Sequence, residues 1–297
     1  MSRICVIFNP AARGEKALRF RAHLVSLSHQ CSLKPTIGPG SASQLAAEAV
    51  REGFETIVAA GGDGTVNEVL NGLCEGRDGV SRARFGVLPL GTINVFAKEL
   101  NLPSRFKEAW DIILAGRESL IDLPFAEFTA NGLEQKRYFA QMAGAGLDSR
   151  AVEMVKWEEK KKIGSLAYVL ASLRAWRGRM PQIVVAHGEQ TVTGELVLIG
   201  NGRFYGGRYE AFPKADLRDA LLEVSIFPKV DLEGAIRSTW GLFTNQLYTA
   251  GGVRHVKAET VSLYSADPVP FHLDGENAGP LPVKFGVHSR ALRVVVP

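Results

Sequence analysis

The sequence predicts an α/β amino-terminal domain with a mainly parallel sheet, followed by a mostly antiparallel β-rich domain. Three observations carry this expectation. Up to Leu123, short apolar runs alternate with stretches of helical periodicity, the pattern of a sheet covered by helices on both faces. Beyond Asp122 the pattern changes to short β-rich runs bounded by turn residues. A chain of 297 residues is long enough for two modest cores. The boundary is placed so that 1–123 forms the first domain and 124–297 the second.

In the first domain, Ile4–Phe8 reads as a strand and Glu15–Leu27 as a helix. A second helix opens at Ser41, where Ser41-x-x-Gln44 has the form of a capping box. Ile57–Ala60 is the next strand, Val66–Leu73 a helix and Phe85–Leu88 a strand. Helices around Asn94–Leu100 and Ser104–Ala115 lead to the strand Leu120–Leu123. The β-rich runs that follow are Arg137–Met142, Gln182–Ala186, Thr191–Ile199, Leu222–Phe227, Val256–Tyr264, Phe271–Asp274 and Ala291–Val296. Helical stretches around Ala151–Arg177 and Leu232–Phe243 interrupt them. Ligands of open α/β sheets bind at the carboxyl ends of strands, where Asn9, Asp63, Gly91 and Asp122 all fall. The cleft between two such domains is the default place for two substrates to meet.

Composition narrows the class. Hydrophobic residues at 46% and charged residues at 22% are ordinary for a globular protein. A formal charge of +4 is compatible with anionic lipid or nucleotide but makes no case for nucleic acid, and no nucleic-acid partner is expected. Cys5, Cys31 and Cys74 lack metal-ligand spacing and read as reduced cytosolic thiols. The apolar run at the start is too short for a signal peptide, and no stretch approaches the ~20 apolar residues of a spanning helix. The expected location is cytoplasmic, at most peripheral on the inner face of the membrane.

The most informative segment is Gly61-Gly62-Asp63-Gly64-Thr65, set between an apolar strand and a helix. A strand turning through glycines into a helix aims backbone N–H groups and a positive helix end at one spot, which suits a phosphate. Taken alone, the glycines could serve just the turn. Asp63 in the middle of an anion site implies a cation or sugar hydroxyl arriving with the phosphate, and an Mg–nucleotide fits. As a loop carboxylate, Asp63 is expected to contribute little to packing. The P-loop pattern is missing, Gly144-Ala145-Gly146 lacks the third glycine of the dinucleotide fingerprint, and the protein-kinase set is absent.

Further motifs stand around this one. Asn9-Pro10-Ala11-Ala12-Arg13-Gly14 is an ordinary turn or a second phosphate-facing loop, with Arg13 available for charge-assisted bonds. Leu88-Pro89-Leu90-Gly91-Thr92-Ile93-Asn94 is a third strand-to-helix turn, with Thr92 and Asn94 offering side-chain hydrogen bonds. Near the end stands Asp274-Gly275-Glu276, whose D-G pair alone marks a hairpin turn.

In this order and spacing, N-P, GGDGT-x-N-E-V-x-N-G, P-x-G-T-x-N and a distal D-G-E, the chain resembles the diacylglycerol kinase catalytic-domain superfamily. That group includes bacterial soluble lipid kinases and the sphingosine and ceramide kinases, with NAD kinases more distant. The match spans nearly the whole chain and includes Ile121-Asp122-Leu123, Ala143–Asp148, Gly164–Tyr168, and Gly206-Gly207 with Pro213-Lys214-Ala215. The resemblance implies a β-sandwich-like second domain, with the last strand returning to the first. It also implies transfer of the ATP γ-phosphate to a lipid hydroxyl.

By residue, the resemblance assigns Asn9, the Gly61–Thr65 loop and Thr92 to the nucleotide, with Gly91 and Asn94 on the same turn. It places Asp63 and Asp122 in a carboxylate–water–Mg network, and makes Glu276 the general base, chemistry that transfer to a primary alcohol requires. Two departures stand out. Val95 occupies a position that is often Asp in the family's lipid kinases, and Asp219-Ala220 replaces a frequent Asp-Gly where some members bind a structural Mg. Asp219 is thus a metal ligand with nearby carbonyls or a solvated loop carboxylate.

Between Arg150 and Met180 run eight Lys and Arg residues, with Trp157 and Trp176. They form a solvated helix face or a surface for anionic lipid. The histidines lack ligand spacing. Three functions stay open: a kinase for diacylglycerol or a related lipid alcohol, a kinase for a sphingoid base or other acceptor, and a nucleotide- or lipid-binding regulator with weakened turnover. The oligomeric state, a homodimer included, is open too.

Overall fold

The computed structural model describes residues 3–12, 15–75, 79–146, 181–207, 209–229, 241, 244 and 252–297. Arg13, the Leu147-Asp148 and Gly164–Tyr168 segments, the basic run 150–180, and the helical readings at 151–177 and 232–243 (Gly241 aside) lie outside them. The chain forms two compact units, Met1–Leu123 with Ser289–Pro297, and Pro124–His288.

In the first unit the order is β1 (Ile4–Phe8), α1 (Glu15–Arg21), α2 (Leu24–Ser28), β2 (Ser32–Pro35), α3 (Ser41–Arg51), β3 (Thr56–Gly61), α4 (Asp63–Cys74), α5 (Gly79–Arg82), β4 (Arg84–Pro89), α6 (Val95–Glu99), α7 (Phe106–Ala115) and β5 (Glu118–Ala130), which runs on into the second unit. The strands lie in the order β2-β1-β3-β4, all parallel, as the alternation predicts. Every residue of β1 and β3 is buried, which explains why both read as continuous apolar runs rather than alternating ones. Val6, Val58 and Leu88 from the sheet pack with Phe20, Leu27, Trp110 and Ile113 from the helices.

Three local expectations change. The helix over Glu15–Leu27 is two helices, because Ala22 and His23 donate to Arg19 and Phe20 in tight i→i−3 bonds and the chain turns there. The strand β2 was not legible, being short, largely polar and closed by Pro35. The capping box does not form either. Gly40, at φ 79°, is the N-cap, and the Ser41 hydroxyl serves the preceding loop, accepting from the Ile37 and Gly38 N–H groups. The carboxylate of Glu68 on α4 receives the Ala42 N–H instead (3.0 Å). α3 and α4 come very close, since a Cβ on Gly72 would lie 2.1 Å from the Ser43 carbonyl oxygen.

The second unit continues with β6 (Leu133–Tyr138), β7 (Met142–Gly146), β8 (Ile183–His187), β9 (Gln190–Gly194), β10 (Leu196–Gly200), β11 (Phe204–Tyr205), β12 (Tyr209–Glu210) and β13 (Leu222–Phe227). β14 (Arg254–Ala258), β15 (Thr260–Tyr264), β16 (Pro270–Leu273), β17 (Glu276–Pro280) and β18 (Val283–Val295) complete it. One antiparallel sheet runs β14-β13-β10-β7-β16-β17. A second layer has β15 between β8 and the start of β18, all antiparallel, with β9 beyond β8. Ala143, Val197, Val224 and Phe271 from the first sheet pack against Val185, Leu263 and Phe285 from the second, so the core is that of a sandwich. Several runs read as single strands are split: Thr191–Ile199 breaks at Glu195 and Val256–Tyr264 at Glu259. The far end of β18 lies in the first unit, where Val294 pairs in parallel with Phe85 of β4.

Candidate functional site

The turn after β3 and the turn after β4 are locked into one structure. The Gly61 carbonyl accepts N–H bonds from Leu90 (3.0 Å) and Gly91 (3.2 Å). A Cβ on Gly91 would stand 2.5 Å from the Gly62 Cα, so glycine lets the two backbones touch. A Cβ on Gly61 would fall 2.4 Å from the Thr65 hydroxyl oxygen. Asn94, at φ 55°, closes the second turn by accepting from the Gly91 N–H (2.9 Å) and donating to the Gly91 carbonyl (2.7 Å).

Asp63 completes the junction. Its two carboxylate oxygens accept the backbone N–H groups of Asn94 (3.0 Å) and Val95 (2.7 Å), where α6 starts. It therefore caps a helix that is distant in sequence, and the expectation that it adds little to the fold is corrected. The same bonds show what position 95 does. Val95 gives its N–H to Asp63 while its side chain is buried.

The N-cap of α4 is Gly62, which has no side chain to cap the helix, and the Val66 N–H closes the first turn on the Gly62 carbonyl (3.0 Å). Gly62, Asp63, Gly64 and Thr65 are each partly exposed there, and Thr92 on the neighbouring turn is exposed. A twelve-residue helix opening on glycines and presenting its N-terminus next to a second turn has the form of an anion site. Asn9, at the end of β1, builds its own turn by accepting the Ala11 N–H (2.8 Å).

The remaining motif residues sit elsewhere. Asp122 is buried, and its carboxylate accepts the Arg290 N–H (2.7 Å), which fastens β5 to the returning end of β18. In Asp274-Gly275-Glu276 the first two residues have positive φ, 48° and 84°, the requirement of a type I′ hairpin between β16 and β17. The Asp274 carboxylate accepts three backbone N–H groups, from Ala140, Gln141 and Met142, at 2.7–3.0 Å. Asp274 thus shapes the entry to β7. Glu276 is partly exposed and has the Arg137 guanidinium 3.8 Å from its carboxylate. Nothing in the spacing of the sequence pointed to Arg137, because the pairing depends on neighbouring hairpins. Glu68 and Gly72 were visible inside the GGDGT-x-N-E-V-x-N-G motif, but their work in joining α3 to α4 was not.

Asp219 accepts the Leu221 N–H (3.0 Å) with one oxygen and the Lys257 ammonium (2.9 Å) with the other. Ala220 beside it has φ 60°, a conformation that strains any residue with a Cβ. Ala220→Gly should therefore raise stability. Relief of the left-handed strain exceeds the added flexibility of the unfolded chain by about 0.5–1 kcal/mol. Chemical denaturation of the two proteins checks this, and a less stable glycine variant would contradict it.

Among the described residues no three His, Cys, Asp or Glu side chains are grouped to hold a metal ion. Burial pushes the thiols up, to about 12 for Cys5 and Cys74 and about 11 for Cys31, so none is poised as a nucleophile. No described helix is long and apolar enough to cross a membrane.

A parallel α/β unit with fused glycine turns, together with an antiparallel sandwich, is the fold class of the diacylglycerol kinases and NAD kinases. The model named Diacylglycerol kinase catalytic domain matches residues 3–125, and the YegS C-terminal NAD kinase beta sandwich-like domain matches 141–296. The chain belongs to the diacylglycerol kinase and YegS-like lipid kinase family. It is 29% identical to the diacylglycerol kinase of Bacillus subtilis (strain 168), covering 100% of this chain and 97% of that one. It is 31% identical to the "Probable lipid kinase YegS" of Salmonella typhimurium, over 90% of this chain and 87% of that protein. A crystal structure of a diacylglycerol kinase from Bacillus anthracis str. Sterne superimposes with a TM-score of 0.72 at 19% identity, over 100% and 97% of the chains. A second chain from that organism reaches 0.82 at 22% identity, over 100% and 95%. Yeast NADH kinase shares the fold more loosely, with a TM-score of 0.54 at 10% identity, over 100% and 84%.

Proposed function

We propose that the protein transfers the γ-phosphate of ATP to the hydroxyl of diacylglycerol or a related lipid alcohol. The observation that carries this reading is the fused pair of turns around Gly61–Thr65 and Gly91–Asn94, with the glycine-capped start of α4 at the first of them, in a chain of a lipid kinase family. The first-turn N–H groups hold the donor's phosphates, and the missing Cβ atoms at Gly62 and Gly64 leave room for them. Asn9 and Thr92, at the ends of β1 and β4, bind further parts of the nucleotide.

Mg2+ fits this donor set. Asp63 would bring a carboxylate to the phosphate position. Mg2+ is commonly held by one or two carboxylates with phosphate oxygens and water rather than by a protein cage. When bound, it would neutralise charge on the transferring phosphate. Glu276 accepts the acceptor's proton, and Arg137 beside it orients the carboxylate. The basic segment with Trp157 and Trp176 favours peripheral contact with an anionic membrane, where such an acceptor resides.

The test is ATP consumption by the purified chain with and without a panel of diacylglycerol, sphingoid base and other alcohols, in vesicles and in detergent. Turnover dependent on diacylglycerol and on Mg2+ is the expected result. Turnover on a different acceptor alone would reassign the substrate, and nucleotide binding without turnover would make the protein a regulator.

A further inference from the structure

The Lys257 ammonium occupies a cage of three oxygens drawn from three parts of the second unit. Its Nζ donates to the Lys214 carbonyl at 2.8 Å and to Asp219 Oδ2 at 2.9 Å, and it lies 3.2 Å from Glu223 Oε1. The ammonium donates two hydrogen bonds, to Lys214 and Asp219, and pairs with Glu223 as an ion contact. Glu223 and Lys257 are direct cross-strand partners on β13 and β14. Lys214 and Asp219 belong to the segment that crosses the same face, where Ala211 and Phe212 pack against Leu198 and Phe227. The ammonium thus pins the 214–221 segment to the sheet.

Glu223 makes the arrangement obligatory. It is 2% exposed, and a carboxylate so deeply buried is tolerated only with a cation beside it. Burial lowers the lysine's pKa, but the carboxylates of Asp219 and Glu223 more than offset this, so the ammonium stands above the ordinary lysine value and stays charged.

A divalent ion does not fit beside it. An ion would need oxygens at about 2.0–2.6 Å around a point that Nζ already holds at hydrogen-bond distance. The reading of Asp219 as a metal ligand therefore disagrees with the side chains present.

We propose that in this chain the Lys257 side chain stands in for a structural divalent cation, so that the 214–221 segment is held without metal. Removing the amine should expose a site of two carboxylates and one carbonyl that accepts a divalent ion.

Thermal unfolding of the full chain, without nucleotide, decides it. The wild type should melt at the same temperature in EDTA and in millimolar Ca2+. Lys257→Ala in EDTA should melt lower by roughly 5 °C, since the buried Glu223 carboxylate loses a counter-ion that is itself partly exposed. It should regain most of that in Ca2+ or Mn2+, binding one more Mn2+ than the wild type by electron paramagnetic resonance. Adding Asp219→Asn to Lys257→Ala should abolish the regain. A wild-type melting temperature that falls in EDTA would overturn the proposal, and this arm does not depend on any variant folding. So would a Lys257→Ala protein as stable as the wild type in EDTA, or one that gains nothing from any divalent ion.

Discussion

Asp63→Asn should lower kcat by at least ~10²-fold while leaving a folded protein, because the charge beside the transferring phosphate is gone and the side-chain shape is kept. Loss of such a group costs several kcal/mol at the transition state. The asparagine oxygen can still accept one of the two N–H bonds from Asn94 and Val95, so α6 keeps part of its anchor. Asp63→Ala should lose both the rate and the anchor, with a stability cost of roughly 2–4 kcal/mol from two charge-assisted bonds to backbone. Comparing the pair separates chemistry from architecture. Steady-state kinetics and denaturation of both variants provide the measurement, and a folded Asp63→Asn protein with near wild-type kcat would sink the assignment of Asp63 to the phosphate site.

That dual burden was not visible in the sequence, and the reason is physical. The periodicities of 2 and 3.6 announce which segments are strands and helices, so the parallel unit and an antiparallel β-rich unit were legible from the apolar runs, while the sandwich was implied by the family resemblance. GGDGT and P-x-G-T-x-N each announced a strand-to-helix turn. What sequence spacing does not encode is the pairing of such turns across neighbouring parallel strands. β3 and β4 place the two turns side by side, and a carboxylate thirty-odd residues away then becomes the cap of α6. Ser41 shows the converse. The local capping pattern was present, but Glu68 on the facing helix and the Gly40 turn took over its role. The same holds for Asp219, whose counter-ion comes from a strand 38 residues on.

Within Asp274-Gly275-Glu276 the structure divides labour between neighbours. Asp274 is architectural, with three backbone N–H groups on one carboxylate and a positive φ that the turn requires. Glu276, the first residue of β17, pairs across from Leu273 through its backbone and leaves its carboxylate partly exposed near Arg137. Glu276→Gln keeps that backbone, size and hydrogen bonding but cannot accept a proton at neutral pH. It should therefore lower kcat by about 10²–10⁴-fold, the range general bases supply, with nucleotide affinity and melting temperature close to wild type. If the carboxylate served just to pair with Arg137, Arg137→Met would reproduce the loss in rate. Arg137→Met should instead fall well short of it, because the base survives and loses only its orienting partner. A Glu276→Gln enzyme with wild-type kcat, or an equal collapse in both variants, would return Asp274-Gly275-Glu276 to the role of a hairpin turn.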